Sequence, residues 1–150
     1  MTSLILFLPF FSFLFSSFYG KRFQPLVSYT VASVCIFISF GVSLSYLFWA
    51  IKGNFFTTLL FPWIHLSVTE KLVLKANWSI KIDSLTTIMM SLITFISGLI
   101  HLYSYFYMKH DRGTIRFVGY LSLFTFAMLI LVSAADLLQL FVGWEGVGVA

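Results

Sequence analysis

Glu145 is the residue whose type and surroundings point most directly to chemistry. It follows Asp136 by nine positions in a stretch with no other charge, within the run Gly143-Trp144-Glu145-Gly146-Val147-Gly148. Nine residues of helix rise about 13–14 Å, close to the middle of a hydrocarbon core about 30 Å thick. Burial there favours the protonated acid, whereas a nearby cation favours the ionised form. A carboxyl group balanced between these states can carry protons.

The three glycines around Glu145 predict close packing at the level of the carboxyl group. Glycine is unfavourable inside a helix, but in membranes it lets a neighbouring backbone approach. We therefore expect either a tightly packed partner helix or a local distortion of this helix. The simpler alternative is that Glu145 stays protonated and only forms a hydrogen bond with a neighbouring helix.

A cation for Glu145 is not found within the apolar runs of this sequence. The nine basic residues all lie between these runs or at their ends: Lys21, Arg22, Lys52, Lys71, Lys75, Lys81, Lys109, Arg112 and Arg116. If Glu145 functions in an ion pair, its partner is expected to come from another polypeptide.

His101 and Asp136 are the other candidates for proton transfer. His101 lies inside an apolar run and could relay protons to Glu145 through water. Its alternative role is structural, with the ring nitrogens bonded to Ser or Tyr side chains of adjacent helices. Asp136 stands at the start of the last run, where a helix N-cap is favoured over a mouth for protons. Asp83 is likewise predicted to begin a helix.

The positions of the charges divide the chain into elements and predict an all-α polytopic membrane protein, a single membrane domain over residues 1–150. A membrane span needs about 20 apolar residues. About five transmembrane helices are predicted, at 2–19, 26–51, 83–108, 115–133 and 134–150. Residues 53–82 are predicted to form an interfacial loop or a short β-hairpin. Alternation at 78–82 favours a strand there, and Pro62 is expected to interrupt the apolar segment before it.

Composition supports lipid as the surrounding solvent. Sixty per cent of the 150 residues are hydrophobic and 9% are charged, too few charges to cover a soluble domain. The net charge of +4 is scattered among loops, so nucleic acid is not an expected partner. The single cysteine, Cys35, is expected to be a packing residue. The histidines and acids have no metal-ligand spacing, and no phosphate-binding glycine loop is present.

The basic loops predict the orientation. Residues 20–25 and 109–116 are the short loops with the densest positive charge. The positive-inside rule places both in the matrix or cytoplasm. The N-terminus is then expected on the intermembrane-space or periplasmic side. The N-terminal run lacks the preceding basic residues of a signal peptide, so it is expected to be retained.

Three segments resemble a known family. They are Asp83-Ser84-Leu85-Thr86 with the later Leu99-Ile100-His101-Leu102-Tyr103-Ser104, then Arg116-Phe117 with 120–129, and finally 136–148. All three are similar to helices three to five of subunit 5 of the proton-pumping NADH dehydrogenase, complex I, called subunit L in bacteria. The Gly-Trp-Glu-Gly-Val-Gly run is typical of subunit 5 and not of the related subunits 2 and 4.

This resemblance implies a place in the antiporter-like membrane arm, within the mitochondrial inner membrane or, alternatively, the bacterial plasma membrane. It implies that Glu145 is the pump carboxylate and pairs with a lysine of the seventh helix, with His101 a possible neighbour. It also implies that NADH, FMN, iron–sulfur clusters and ubiquinone are bound by other subunits, with none in this chain. The expected partners are membrane lipid and other membrane-arm subunits.

Family members are several times longer than this chain. We therefore expect a separate polypeptide to carry the rest of subunit 5, including the partner lysine. Two other functions remain open at this point. One is a subunit of a multisubunit cation/proton antiporter, and the other is a structural scaffold of the membrane arm without transport activity.

Overall fold

The computed structural model describes residues 2–20, 25–69, 72–108, 111 and 113–150, with only the backbone at 25, 65–69 and 72–75. Its elements in chain order are α1 (Thr2–Phe18), α2 (Pro25–Ile51), β1 (Phe56–Thr69), β2 (Leu72–Ile82), α3 (Ser84–Tyr107), α4 (Thr114–Ser133) and α5 (Leu137–Val149). The all-α membrane fold class is confirmed, with one small two-stranded sheet between α2 and α3.

The predicted helices agree closely with the observed ones. The first four match the predicted ranges within one residue at either end. Within the described part of the chain, α2, α3 and α4 are long and apolar enough to cross a membrane. The apolar helices α1 and α5 are shorter, with 17 and 13 residues. The fifth helix begins at Leu137 rather than at 134, because the preceding backbone pairs with the sheet.

The helices form a bundle in which α4 lies between α1, α3 and α5, and α2 packs against α1 and α3. The chain direction alternates, so the connections fall at two ends. At one end, here called the basic-loop end, Gly20 after α1 lies against Ile115 at the start of α4. At the other, here called the hairpin end, Ile80 of β2 forms a bridge with Ala134 after α4.

The bundle buries small and polar side chains and exposes large apolar ones. Helix α3 illustrates this, because a buried, mostly polar face recurs every three or four residues along it: Thr87, Ser91, Thr94, Ser97, His101 and Ser104. Its opposite face carries exposed Leu85, Phe106 and Tyr107. A soluble helix has the reverse pattern. This distribution requires an apolar environment around the bundle.

An antiparallel hairpin covers one end of the bundle. Residue Phe56 pairs with Ile82 and Thr69 with Leu72, so the hairpin predicted at 53–82 is present but is not short. The prediction that Pro62 interrupts the segment is wrong, because Pro62 lies within β1 opposite Asn77. Irregular register on both sides of Pro62 accommodates its missing N–H, and each strand of a two-stranded sheet has a free edge.

The hairpin joins the bundle through the main apolar cluster. This cluster combines α1, β2, α3 and α4: Ile5, Leu6, Ile80, Ile82, Met90, Leu129 and Ile130. The side chains of Ile80 and Ile82 are 0% and 1% exposed. Since burying an Ile side chain is worth about 1.5–3 kcal/mol, β2 is held firmly against the helices and fixes where α5 can begin.

Candidate functional site

Glu145 lies on the outer face of α5, where its side chain is exposed. Its neighbour Gly143 is buried against α4. Two residues of helix turn the chain by about 200°, so Glu145 points away from α4. No hydrogen bond or ion pair joins its carboxylate to the described residues. The acid is therefore presented to whatever lies beside α5 outside this bundle.

The glycines set this direction by letting α5 approach α4 closely. A Cβ atom at Gly143 would stand 2.7 Å from the backbone nitrogen and Cα of Leu131. A Cβ atom at Gly146 would stand 3.1 Å from Ala127, whereas one at Gly148 would meet nothing within 4 Å. The helix continues through these positions without a break. Close packing, rather than a distortion of the helix, is the alternative that the structure selects for Gly143 and Gly146.

Two polar side chains attach the start of α5 to the hairpin. The Asp136 carboxylate accepts a hydrogen bond from the Asn77 backbone N–H at 2.8 Å. One turn later, Gln139 Oε1 accepts from the Ser79 N–H at 3.0 Å. Asp136 occupies the N-cap position of α5, but its side chain makes no capping bond. The N-cap interpretation of Asp136 is thus wrong for its side chain, since the carboxylate serves the strand instead.

Gln139 is a residue that sequence reasoning missed. It is 1% exposed, and its Nε2 atom is buried without a hydrogen-bond partner among the described residues. The available signal was a single amide in an otherwise apolar run that begins at Leu137. Its partner is the backbone of a residue sixty positions earlier, which no local pattern reveals.

His101 is fully buried where α3 meets α1 and α4. Its Nδ1 atom lies 2.8 Å from the Ser97 carbonyl oxygen and its Nε2 atom 3.2 Å from Ser122 Oγ. A carbonyl can only accept, so Nδ1 carries the hydrogen, and Nε2 of the neutral ring accepts from Ser122. Ser122 Oγ also lies 3.1 Å from Ser12 Oγ of α1. The Nε2 bond to a serine of α4 is of the kind expected if His101 has a structural role, whereas Nδ1 bonds to the backbone of its own helix.

The same network extends toward the middle of the bundle. Ser97 Oγ lies 2.5 Å from Thr125 Oγ and 3.5 Å from His101 Nδ1. One turn earlier in α3, Thr94 Oγ1 lies 3.1 Å from Ser43 Oγ of α2. Hydroxyl groups therefore link all four of the first helices. Such bonds satisfy buried polar groups where lipid offers no partner.

The structure does not bring the three predicted site residues together. His101 lies in the α1–α3–α4 interior, Glu145 faces outward from α5, and Asp136 is at the hairpin end. No hydrogen bond within the described ranges connects any two of them. A relay from His101 to Glu145 stays a prediction, and α4 lies between the two groups.

Asp83 caps α3 as predicted. Its carboxylate accepts from the Thr86 backbone N–H at 2.9 Å and lies 3.2 Å from Lys81 Nζ. The bond from Thr86, followed by the hydrogen bond and charge of Lys81, lowers the pKa of Asp83. The residue thus stabilises the entry to α3. As for metals, the described residues contain no group of three or more His, Cys, Asp or Glu that could hold one.

An apolar exterior and a buried network of hydroxyl groups define an α-helical, multi-pass membrane protein. Residues 66–118 match the family described as NADH-Ubiquinone oxidoreductase (complex I), chain 5 N-terminus. Relatives bearing this name, or subunit L in bacteria, extend the match to the whole chain. The chain belongs to this family of chain 5 and subunit L proteins, which confirms the resemblance found in the sequence.

Three relatives show the extent of the similarity. NADH-quinone oxidoreductase subunit L of Rickettsia bellii is 40% identical over 148 residues, which cover 97% of this chain and 22% of the relative. NADH-ubiquinone oxidoreductase chain 5 of Arabidopsis thaliana is 40% identical over 151 residues, covering 100% and 22%. Subunit L of Rickettsia typhi is 55% identical over 97 residues, covering 65% and 14%. The chain spans about a fifth or less of the length of these relatives.

Proposed function

We propose that this chain is part of a proton-translocating membrane-arm subunit of respiratory NADH:ubiquinone oxidoreductase. Glu145 is the carboxyl group that accepts and releases the transported proton. The observation that carries this proposal is the orientation of α5, whose glycine face is packed against α4 while Glu145 projects from the opposite side. An acid in an apolar helix needs a polar partner on the side that it faces.

The partner of Glu145 is a basic side chain from outside residues 1–150. The described basic side chains of this bundle are Lys52, Lys81 and Arg116, and none bonds to Glu145. A cation beside the carboxylate favours its ionised form, and moving that cation away favours protonation. Such a change in the ion pair would couple a charge shift elsewhere in the complex to proton uptake. The expectation of a separate companion polypeptide is tested by mass spectrometry of the purified complex.

The redox chemistry belongs to other subunits in this proposal. NADH, FMN, iron–sulfur clusters and ubiquinone bind elsewhere in the complex, and this chain acts only on protons. Family membership and the helices support a multi-pass location in a mitochondrial inner or bacterial plasma membrane. The mitochondrial location, and an orientation with the basic-loop end in the matrix, remain parts of the proposal.

The test is proton pumping by membranes that carry Glu145→Gln. Glutamine keeps the size and hydrogen-bonding capacity of the side chain but cannot exchange a proton. We expect proton uptake per NADH oxidised to fall while the complex remains assembled. The matched control is Asp111→Asn, at an exposed carboxylate in the connection before α4. Asparagine keeps its acceptor for the Gly113 N–H, so pumping should not change.

Two outcomes would replace this function. Normal pumping by Glu145→Gln, with cation/proton exchange also unchanged, would leave the chain as a scaffold of the membrane arm. Loss of cation/proton exchange by membranes, with NADH oxidation and its proton uptake both unchanged, would instead favour the multisubunit antiporter. Co-purification of this chain with quinone-reducing subunits would assign it to complex I rather than to the antiporter, whatever the effect of Glu145→Gln.

A further inference from the structure

A cavity of about 630 Å³ lies between α1 and α4 at the basic-loop end of the bundle. Ser16 of α1 and Gly119 of α4 line its inner part, and the exposed residues Arg116 and Tyr120 line its outer part. A Cβ atom at 119 would make an ordinary contact with the Ser16 Cβ atom at 3.7 Å, so a side chain longer than alanine at this position would extend into the cavity. The volume accommodates several water molecules.

The Ser16 hydroxyl group indicates what the cavity holds. This side chain is 1% exposed, and its Oγ atom has no hydrogen-bond partner among the described residues. Serines elsewhere in the bundle, such as Ser39 and Ser133, bond to a carbonyl of their own helix. A buried hydroxyl group without a protein partner is usually satisfied by water. A water molecule entering from the adjacent cavity would supply that partner.

A set of buried hydroxyl groups leads inward from this point. Ser12 lies one helical turn from Ser16, about 6 Å away, a gap that one water molecule would have to span. Ser12 Oγ lies 3.1 Å from Ser122 Oγ, which lies 3.2 Å from His101 Nε2. Since Ser122 donates to the ring, it accepts from Ser12. Every hydrogen bond in the set therefore points from the cavity toward His101.

We propose that the α1–α4 boundary is a proton inlet, in which water beside Ser16 and the hydroxyl groups of Ser12 and Ser122 deliver protons to His101. The inlet begins at the basic-loop end, and His101 lies six residues, or about 9 Å, inside the end of α3. It rests on the proposed function, which it deepens by assigning a route of entry. Neither Ser12 nor Ser16 was singled out by sequence patterns.

The transfer step conserves protons and needs no other reactant. A hydrated proton in the cavity gives one proton to Ser12 Oγ, whose own proton passes to Ser122 Oγ. The Ser122 proton passes to His101 Nε2. Both serines end as neutral hydroxyl groups, and the ring becomes an imidazolium that donates from both nitrogens. The Ser97 carbonyl accepts from Nδ1 before and after the step, so the ring stays in place.

The hydration of the inlet is tested by thiol labelling of the assembled complex in sealed vesicles of both orientations. Ser16→Cys is made in a Cys35→Ala background, which removes the only native thiol of this chain. The probe is an anionic, membrane-impermeant methanethiosulfonate, and mass spectrometry of this chain gives the readout. We expect labelling about tenfold faster than at Ser39→Cys, because only a hydrated thiol ionises readily.

Labelling should occur only from the basic-loop side, and Gly119→Leu, which fills the cavity, should abolish it. Reaction with lipid-soluble N-ethylmaleimide but not with the anionic probe would mean that lipid occupies the cavity, and the inlet would be refuted. Equal rates for Ser16→Cys and Ser39→Cys would refute it as well. These rates do not depend on Glu145, so failure of the proposed function would be seen separately.

The transport role is tested by Ser122→Ala, with Ser122→Thr as the conservative variant and Ser133→Ala as the control. Ser133 is equally buried but bonds only within α4. We expect proton uptake per NADH to fall at least severalfold in Ser122→Ala and to recover in Ser122→Thr. Pumping that is unchanged in Ser122→Ala, with the complex assembled, would overturn the inlet even if Glu145→Gln abolished pumping.

Discussion

Gly143 of α5 lies so close to Leu131 of α4 that a Cβ atom on the glycine would stand 2.7 Å from the leucine backbone. Backbone cannot yield as a flexible side chain can. The contact therefore sets both the separation of the two helices and the rotation of α5 about its axis. Because Glu145 follows two residues later, the same contact determines the direction in which the acid projects.

Gly143→Ala should therefore destabilise the α4–α5 pair. Overpacking of this kind costs about 1–3 kcal/mol, and α5 would have to shift or rotate. The measurement is the thermal unfolding midpoint of the detergent-solubilised complex, together with its assembly on native gels. Gly148→Ala is the control, because nothing lies within 4 Å of its added methyl group. An unchanged midpoint for Gly143→Ala would mean that the close contact does not persist in the complex.

Asp136→Ala should loosen α5 from the hairpin. The variant leaves the Asn77 N–H without its acceptor, and hydrogen bonds to charged groups are worth about 1.5–3 kcal/mol. Hydrogen exchange of peptides covering 76–82 should therefore accelerate. Asp136→Asn keeps an acceptor oxygen and should be closer to the parent protein. Equal exchange in all three proteins would show that this bond contributes nothing.

The charge of Asp83 should stabilise the protein in a pH-dependent manner. The folded-state pKa is lowered, first by the Thr86 N–H and then by Lys81. A depressed carboxyl pKa gives stability that is present above the unfolded value of about 3.9 and is lost as the pH falls through the lower folded value. Asp83→Asn, which can still cap the helix, should lower the unfolding midpoint at pH 7.

The difference between Asp83→Asn and the parent protein should shrink as the pH is lowered below about 4. Asp83→Ala removes the cap itself, at a cost of about 0.5–2 kcal/mol, so it should remain less stable at every pH. A difference between Asp83→Asn and parent that grows on acidification would contradict the assigned direction of the shift.

The helices could be predicted from sequence because charges mark their ends. Residues such as Lys52, Asp83 and Arg116 cannot enter the apolar core at low cost, so they stand at or near the end of α2 and the starts of α3 and α4. The hairpin was harder to predict, because apolar and polar residues alternate clearly only at 78–82. Its long pairing past Pro62 depends on register irregularities that no sequence pattern encodes.

The sequence singles out Glu145 as the candidate acid, but it does not reveal the contacts around the other candidate residues. Glu145 and its glycines stand together in sequence, so close packing of this segment could be anticipated, but not that α4 is the helix it packs against. His101 bonds to Ser122 of α4, which in turn bonds to Ser12 of α1. The bond from Ser79 to Gln139 likewise joins distant parts of the chain. Such contacts follow from the fold and have no local signature.

Proton transfer by Glu145 depends on a basic side chain from outside residues 1–150. The most direct measurement is an experimental structure of the intact complex at a resolution that shows side chains. We expect a lysine or arginine nitrogen within about 4 Å of the Glu145 carboxylate, the distance of an ion pair. A carboxylate surrounded by lipid tails, with neither a cation nor a polar group beside it, would contradict the proposed role of Glu145 in proton transfer.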